Sequence, residues 1–153
     1  MRILLLYAHI VLAILWIGGA VMFNLMATRA RSSGSPEAVI RTMGDSEWAG
    51  KFYFTPVAIL TLVTGVVLVL TSNGAYTFED PFVVAGIAGI VISGVLGGTY
   101  YAKAAQSISA AVNERGLEDA GTRSQLDRLR LIAWVETAML LGIELLMVYR
   151  AGS

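Results

Sequence analysis

The hydrophobic residues of this chain fall into four long, almost uninterrupted stretches, at roughly residues 3–28, 54–72, 81–102 and 129–149. Each can cross the hydrocarbon core of a bilayer, because that takes about 20 apolar residues at a rise of 1.5 Å each. The pattern predicts an all-α protein, an integral membrane four-helix bundle that occupies residues 1–153 as a single domain. The first stretch is too long for the apolar core of a signal peptide, so we expect it to be retained.

The polar segment between the first two stretches contains a helix-start signal. Ser35 supplies a cap, Pro36 suits the first helical position and Glu37 favours the first turn. We expect a short interfacial helix that runs towards Trp48 and lies on the cytoplasmic surface of the membrane. Aromatic residues at 48 and 52–54 then form an interfacial belt before Pro56 opens the second span.

The basic residues indicate the orientation of the bundle. The connections between spans one and two and between spans three and four carry nine of them: Arg29, Arg31, Arg41, Lys51, Lys103, Arg115, Arg123, Arg128 and Arg130. The connection at 73–80 has none. By the positive-inside rule both basic connections are cytoplasmic, and the N- and C-termini lie outside.

Composition narrows the function classes. Hydrophobic residues make up 56% of the chain and charged residues 14%, with 11 basic residues against 11 acidic ones. This balance offers no surface for nucleic acid. Cysteine is absent, which excludes a thiolate metal site. Gly18 and Gly19 lie inside a span and cannot form a phosphate loop, so we expect no nucleotide site.

The one histidine, His9, lies inside the first span. An ionisable side chain in hydrocarbon is costly and is by default a functional-site hypothesis. His9 is six residues from Ile3 and thus about 9 Å below the outer boundary, and Glu144 is about 7.5 Å below it on the fourth span. Antiparallel packing of these spans would bring His9, Glu144 and Met147 to one level.

Glu136 lies about 12 Å deeper than Glu144 on the same span, rotated by roughly 80°, so both carboxyl groups can face the bundle interior. One interpretation is structural: His9 and Glu144 form a hydrogen bond that only fixes packing, while a neutral Glu136 bonds to Asn24, Thr64 or a backbone carbonyl. Another is a proton or ion relay through His9, Glu144 and Glu136.

Two further hypotheses make this a ligand site. His9 can bind haem iron, and Trp16, one heptad later and about 20° round the helix, can form an apolar wall for the macrocycle. The second iron ligand would then be a methionine or His9 of a second protomer. Alternatively, His9 with Met147 suits copper(I), and His9 with Glu144 suits a harder divalent ion.

The third span contains many small residues, in the four-residue series Ala85, Gly89, Ser93 and Gly97 and again at Gly94 and Gly98. Such faces allow close approach of helix backbones. They predict packing against the second and fourth spans, a homodimer seam or the floor of a pocket, and the pattern does not choose among these.

The chain also resembles a known group of proteins. His9, the run Trp16-Ile17-Gly18-Gly19, the pair Arg29 and Arg31, Pro56 and the dipeptide Thr64-Gly65 resemble a family of predicted four-helix bacterial integral membrane proteins. That family is similar to the copper-resistance protein D membrane domain and, more distantly, to HemJ-type protoporphyrinogen oxidase. The likeness covers mainly the first half.

The resemblance implies a bacterial cytoplasmic (inner) membrane protein in which His9 is the first-helix histidine, associated with haem b in the HemJ-type relatives and with copper in the copper-resistance relatives. It does not extend to the membrane-embedded lysine of HemJ-type proteins, because Lys103 lies at the cytoplasmic end of its helix. We therefore expect binding of haem b or copper rather than catalysis, in a homodimer within the lipid bilayer, and assign no catalytic residue.

Overall fold

The computed structural model describes residues 2–151, and it describes side chains as far as Tyr149. Six α-helices follow one another along this part of the chain: α1 (Arg2–Ser32), α2 (Pro36–Ala49), α3 (Thr55–Leu70), α4 (Pro81–Val95), α5 (Ala102–Arg115) and α6 (Ala120–Ala151). Short π-helical segments, Gly50–Phe54 and Leu96–Tyr101, join α2 to α3 and α4 to α5 without a break. The described chain is thus four long helical rods, as the four apolar stretches predicted.

The rods pack in a ring at their apolar halves. Helix α1 packs against α3 on one side and α6 on the other, and α6 also packs against α4. The contact between α3 and α4 that closes the ring is slighter than these. We call the end with the 71–80 connection the loop end, and the end with the connections at 33–35 and 116–119 the basic end.

The surface of the apolar halves is itself apolar. Large hydrophobic side chains on the rods are mostly exposed, for example Ile3 (82%), Leu70 (69%) and Leu145 (70%). All four rods are long and apolar enough to cross a membrane. Exposure of this kind is stable only where lipid replaces water. The prediction of an all-helical membrane bundle is confirmed.

A second core occupies the basic end of the bundle. Val39 and Met43 of α2 are buried against α5 and neighbouring helices, together with Ile108 and Leu126. The predicted start of α2 is correct, since the Ser35 hydroxyl accepts a hydrogen bond from the Ala38 N–H at 3.2 Å. The prediction that this helix lies on the membrane surface is not confirmed, because its apolar face is covered by protein and it continues into α3.

The small residues of the third span, in α4 and the π-helical segment that follows it, divide into two groups. A Cβ at Gly86 would lie 2.5 Å from Met147 Cε, and one at Gly89 would lie 2.5 Å from Ile143 Cδ1. These two glycines therefore let α4 approach α6 closely. A Cβ at Gly94, at Gly97 or at Gly98 would meet nothing within 4 Å. Intramolecular packing explains the first group, and a homodimer seam at the second stays a prediction.

Candidate intramembrane binding site

A cavity of about 610 Å³ opens at the loop end, enclosed by α1, α3, α4, α6 and the 71–80 connection. Its walls are mainly aliphatic and aromatic. The polar or ionisable side chains that line it are few: Arg2, His9, Thr61, Tyr76 and Glu144. Cavities of roughly 300–1,000 Å³ with apolar walls and a few polar groups are typical of sites for small ligands and cofactors.

His9 reaches this cavity from α1, and α3 holds its ring. The imidazole Nδ1 lies 2.9 Å from the Thr64 hydroxyl oxygen. That hydroxyl lies 2.8 Å from the carbonyl oxygen of Leu60 and 3.0 Å from that of Thr61. Because a hydroxyl has one proton, which the carbonyls take, its oxygen accepts a hydrogen bond from Nδ1–H. The lone pair of the neutral ring is therefore on Nε2, the nitrogen that binds metals when the other ring nitrogen is engaged.

The next residue on α3 fixes the position of the ring. A Cβ at Gly65 would lie 3.1 Å from His9 Cε1 and 3.6 Å from Nδ1. The imidazole thus packs on the bare backbone of α3. Sequence reasoning noted the dipeptide Thr64-Gly65 only as part of a resemblance. The dipeptide itself was the available signal: a threonine hydroxyl can bond to a histidine on a neighbouring span, and a glycine beside it leaves room for the ring.

The predicted partners of His9 line the same cavity from α6. Glu144 and Met147 both contribute to its wall, and Met147 also packs over Gly86. His9, Glu144 and Met147 therefore line one space, and their role as ligands stays a prediction. The hydrogen bond predicted between His9 and Glu144 is not among those of the described residues. Thr64 is the partner of the ring, which packs against α3 at Gly65.

Trp16 forms part of the inner wall of the cavity. Its side chain is buried, with 7% of its surface exposed, and it packs in a cluster with Val57 and Leu140. The prediction that it supplies an apolar wall agrees with this placement.

Glu136 belongs to another part of the bundle. Its carboxylate accepts a hydrogen bond from the hydroxyl of Tyr101, at the end of the second π-helical segment. Asn24 instead donates to the Thr137 hydroxyl at 3.0 Å. The predicted bonds from Glu136 to Asn24, Thr64 or a backbone carbonyl are therefore replaced by one to Tyr101. Sequence reasoning missed this tyrosine because it lies at the edge of a span.

The donor atoms around the cavity do not form a compact metal site. Within the part of the chain that the structure describes, no three His, Cys, Asp or Glu side chains come together as metal ligands would. His9 and Glu144 are the two such residues in the wall. A closed protein site for a metal ion uses three or four convergent donors, and this arrangement offers fewer.

The comparisons with known proteins agree with the fold. A family described as "predicted integral membrane protein (DUF2269)" matches residues 3–151. The chain belongs to this family. No curated protein and no solved structure matches the chain. The DUF2269 match supports an integral membrane protein, which agrees with the four candidate spans of the described residues. The further likeness to the copper-resistance and HemJ-type proteins stays an expectation.

Proposed function

We propose that this DUF2269 protein binds haem b in the loop-end cavity, with His9 as the axial ligand to iron. One observation carries the proposal: the only histidine of the chain has its Nδ1–H bonded to Thr64 and lines a cofactor-sized apolar cavity. A neutral imidazole with a hydrogen-bonded Nδ1 offers Nε2 to a metal. Bound haem would supply a redox-active iron whose potential its surroundings tune.

The chain's residues fit this group in three ways. Thr64 fixes the tautomer and orientation of the His9 ring. Trp16, Ile87 and Ile90 contribute apolar surface to the wall, which would exclude water from a bound macrocycle. Glu144 and Met147 on α6 also line the cavity, and either side chain would offer a second ligand atom to the iron.

The geometry gives less support to the copper and relay hypotheses. A copper ion needs a small convergent donor set, whereas His9 and Glu144 line a space of about 610 Å³. A relay through Glu136 would need a path to the cavity, but this carboxylate is bonded to Tyr101 and is not part of the cavity wall. A purely structural role leaves the size of the cavity unexplained.

Orientation is part of the proposal. The connections at the basic end carry nine of the eleven arginines and lysines, and the positive-inside rule then places the loop end, with its cavity, on the outer side of the bacterial inner membrane. Reporter fusions behind residue 76 and behind residue 117 test this. Activity of an externally active reporter at residue 117 and not at residue 76 would reverse the assignment.

Visible absorption of the purified protein tests haem binding. Wild-type protein, expressed with haem supply or reconstituted with haem b, is expected to show a Soret band, and His9→Ala is expected to lose it. Imidazole added to His9→Gly should restore the band, because it can occupy the space the side chain leaves. Tyr7→Phe is the matched control: Tyr7 lies two residues away on α1 with 67% of its surface exposed.

Two results would contradict the proposal. One is wild-type protein that folds but takes up no haem b at micromolar concentration. The other is an unchanged Soret band in His9→Ala.

A further inference from the structure

Arg2 occupies the mouth of the loop-end cavity. It is the first described residue of α1 and, among the side chains that the structure describes, the only lysine or arginine in the cavity wall. The basic residues of the long connections are at the opposite end of the bundle. The ion pairs within the described residues, Arg31–Asp127, Arg115–Asp119, Arg123–Glu118 and Arg130–Asp127, also lie at that end. The positive charge at the mouth therefore needs an explanation of its own.

The aromatic ring of Tyr76 holds Arg2 at this position. The guanidinium carbon lies 5.7 Å from the centroid of the Tyr76 ring, within the range of a cation–π contact. Tyr76 in turn packs edge-to-face against Phe82 of α4 at 5.5 Å. A guanidinium over an aromatic face keeps its N–H donors available at its edge.

The backbone around Tyr76 is fixed as well. Ser72 is buried, with 3% of its surface exposed, and its hydroxyl donates to the Tyr76 carbonyl oxygen at 3.0 Å. The same hydroxyl oxygen accepts from the Tyr76 N–H at 3.1 Å. The connection that carries Tyr76 is thus tied to the end of α3. Arg2 is therefore a preorganised cation at the mouth of an apolar cavity. His9 and Glu144 supply polar atoms to the wall of that cavity.

From this geometry we propose that Arg2 binds a carboxylate group of the cavity ligand. The site would then select a flat apolar molecule that carries a carboxylate at one edge. The inference rests on the proposed function and deepens it. If haem b is the ligand, Arg2 would pair with a propionate and His9 would bind the iron, since both side chains line the cavity. An arginine pairs with carboxylates through two parallel N–H donors, which gives orientation as well as affinity.

The test compares haem b with its dimethyl ester, which has the same macrocycle and no carboxylate. Wild-type protein is expected to bind haem b at least about tenfold more tightly than the ester, as loss of a charge-assisted hydrogen bond implies. Arg2→Gln should bind both equally and as weakly as wild type binds the ester. Arg2→Lys should recover part of the preference, because an ammonium keeps the charge without the planar fork.

Arg29→Gln is the matched control, since Arg29 is an exposed arginine of the same helix at the basic end. It should keep the full preference for haem b. The comparison of the two ligands on wild-type protein needs no variant, so it decides the proposal even if Arg2→Gln fails to fold. Equal binding of haem b and its ester by wild type, with a Soret band that depends on His9, would overturn the role of Arg2 alone.

Oleate is a third probe, because it offers a carboxylate on a flexible chain. We expect haem b to displace it. Tight oleate binding that depends on Arg2, combined with no haem uptake, would assign the arginine to a lipid acid and overturn the haem proposal together with this one.

Discussion

The Cε1 atom of His9 lies 3.1 Å from the point that a Cβ at residue 65 would occupy. The ring of the only histidine thus packs on the backbone of a neighbouring helix, at a glycine that leaves just enough room. Because protein interiors are close-packed, a contact this tight defines where the ring can lie. The position of His9 is therefore set by α3 as much as by its own helix.

Gly65→Ala tests this contact. The added methyl group forces the ring or the helix to give by a few tenths of an ångström, and we expect haem affinity to fall by up to about tenfold, which corresponds to 1.4 kcal/mol. Gly18→Ala on α1 is the control, since a Cβ there meets nothing within 4 Å. Haem titration followed at the Soret band measures both. Unchanged affinity in Gly65→Ala would show that the ring position is not critical.

Thr64→Val removes the acceptor for the His9 Nδ1–H while keeping the shape of the side chain. Loss of such an outer-shell partner typically costs about 10–100-fold in metal affinity, and we expect a loss of this size for haem b. Thr64→Ser should retain most of the affinity. Thr71→Val serves as control, because the Thr71 hydroxyl bonds only within its own helix region, to Val67 at 2.7 Å. Equal losses in Thr64→Val and Thr71→Val would exclude a specific role for this hydrogen bond.

Because α4 approaches α6 closely at only some of its glycines, glycine-to-valine substitutions in α4 should change the free energy of unfolding by different amounts at different positions. Gly89→Val places atoms against Ile143, whose Cδ1 would lie 2.5 Å from the new Cβ, and overpacking of this kind costs about 1–3 kcal/mol. Gly94→Val meets open space on the same helix and should change the free energy of unfolding little. Unfolding in mixed detergent with increasing dodecyl sulfate measures the difference. If Gly94→Val is the more damaging variant, the open face is covered by another chain, which would support the predicted homodimer.

The hydrogen bond from Tyr101 to Glu136 predicts that substitutions of these two residues have non-additive effects on the free energy of unfolding. Tyr101→Phe leaves a half-buried carboxyl group without its donor, which costs about 1–3 kcal/mol. In Glu136→Leu, the additional loss from Tyr101→Phe should be much smaller. Tyr100→Phe, one residue away, is the control for removal of a hydroxyl. Additive effects in the double-mutant cycle would mean that the bond contributes nothing to stability.

A hydrogen bond at the start of α6 predicts that the stability of the fold decreases at acidic pH. The Thr122 N–H donates to the Asp119 carboxylate at 2.9 Å, and this bond, with smaller contributions from the Thr122 hydroxyl and Arg115, holds the pKa of Asp119 below its usual value. A carboxyl group whose pKa is lowered on folding stabilises the fold above its unfolded pKa of about 4, and this contribution is lost as pH falls through the lowered pKa.

Thermal unfolding between pH 7 and pH 3 measures this effect. Asp119→Asn keeps a capping side chain without a titrating group, so its midpoint should fall less steeply below pH 4 than that of wild type. Asp45→Asn, an exposed aspartate of α2, should behave like wild type. Identical acid profiles for wild type and Asp119→Asn would contradict the assignment.

The sequence predicted the spans well because lipid imposes a simple requirement on them: a length of apolar side chains with every backbone group bonded inside a helix. It also predicted that His9 and Glu144 share a level, since rise per residue converts position into depth. Rotation about the helix axis is not fixed by this reasoning. For that reason Thr64, and not Glu144, turned out to be the partner of His9.

The placement of α2 shows a second limit of sequence reasoning. Trp48 and Phe52 are exposed aromatic residues, and the helix that runs towards them was expected to lie on the membrane surface. The apolar pattern of Val39 and Met43 equally suits burial against another helix, and α5 provides that partner. A single helix cannot reveal from its own residues whether lipid or protein covers its apolar face.

Because of the two π-helical segments, each central rod, Pro36–Leu70 and Pro81–Arg115, is one continuous helix of 35 residues, about 52 Å long. One half of each rod packs in the core at the basic end, and the other half forms a wall of the cavity. If the first rod tilts as a rigid body, a tilt of α2 would displace Thr64 and Gly65, the two residues that contact the His9 ring. A molecule that binds at the basic end would therefore act on the His9 site through the rods, without contacting that site.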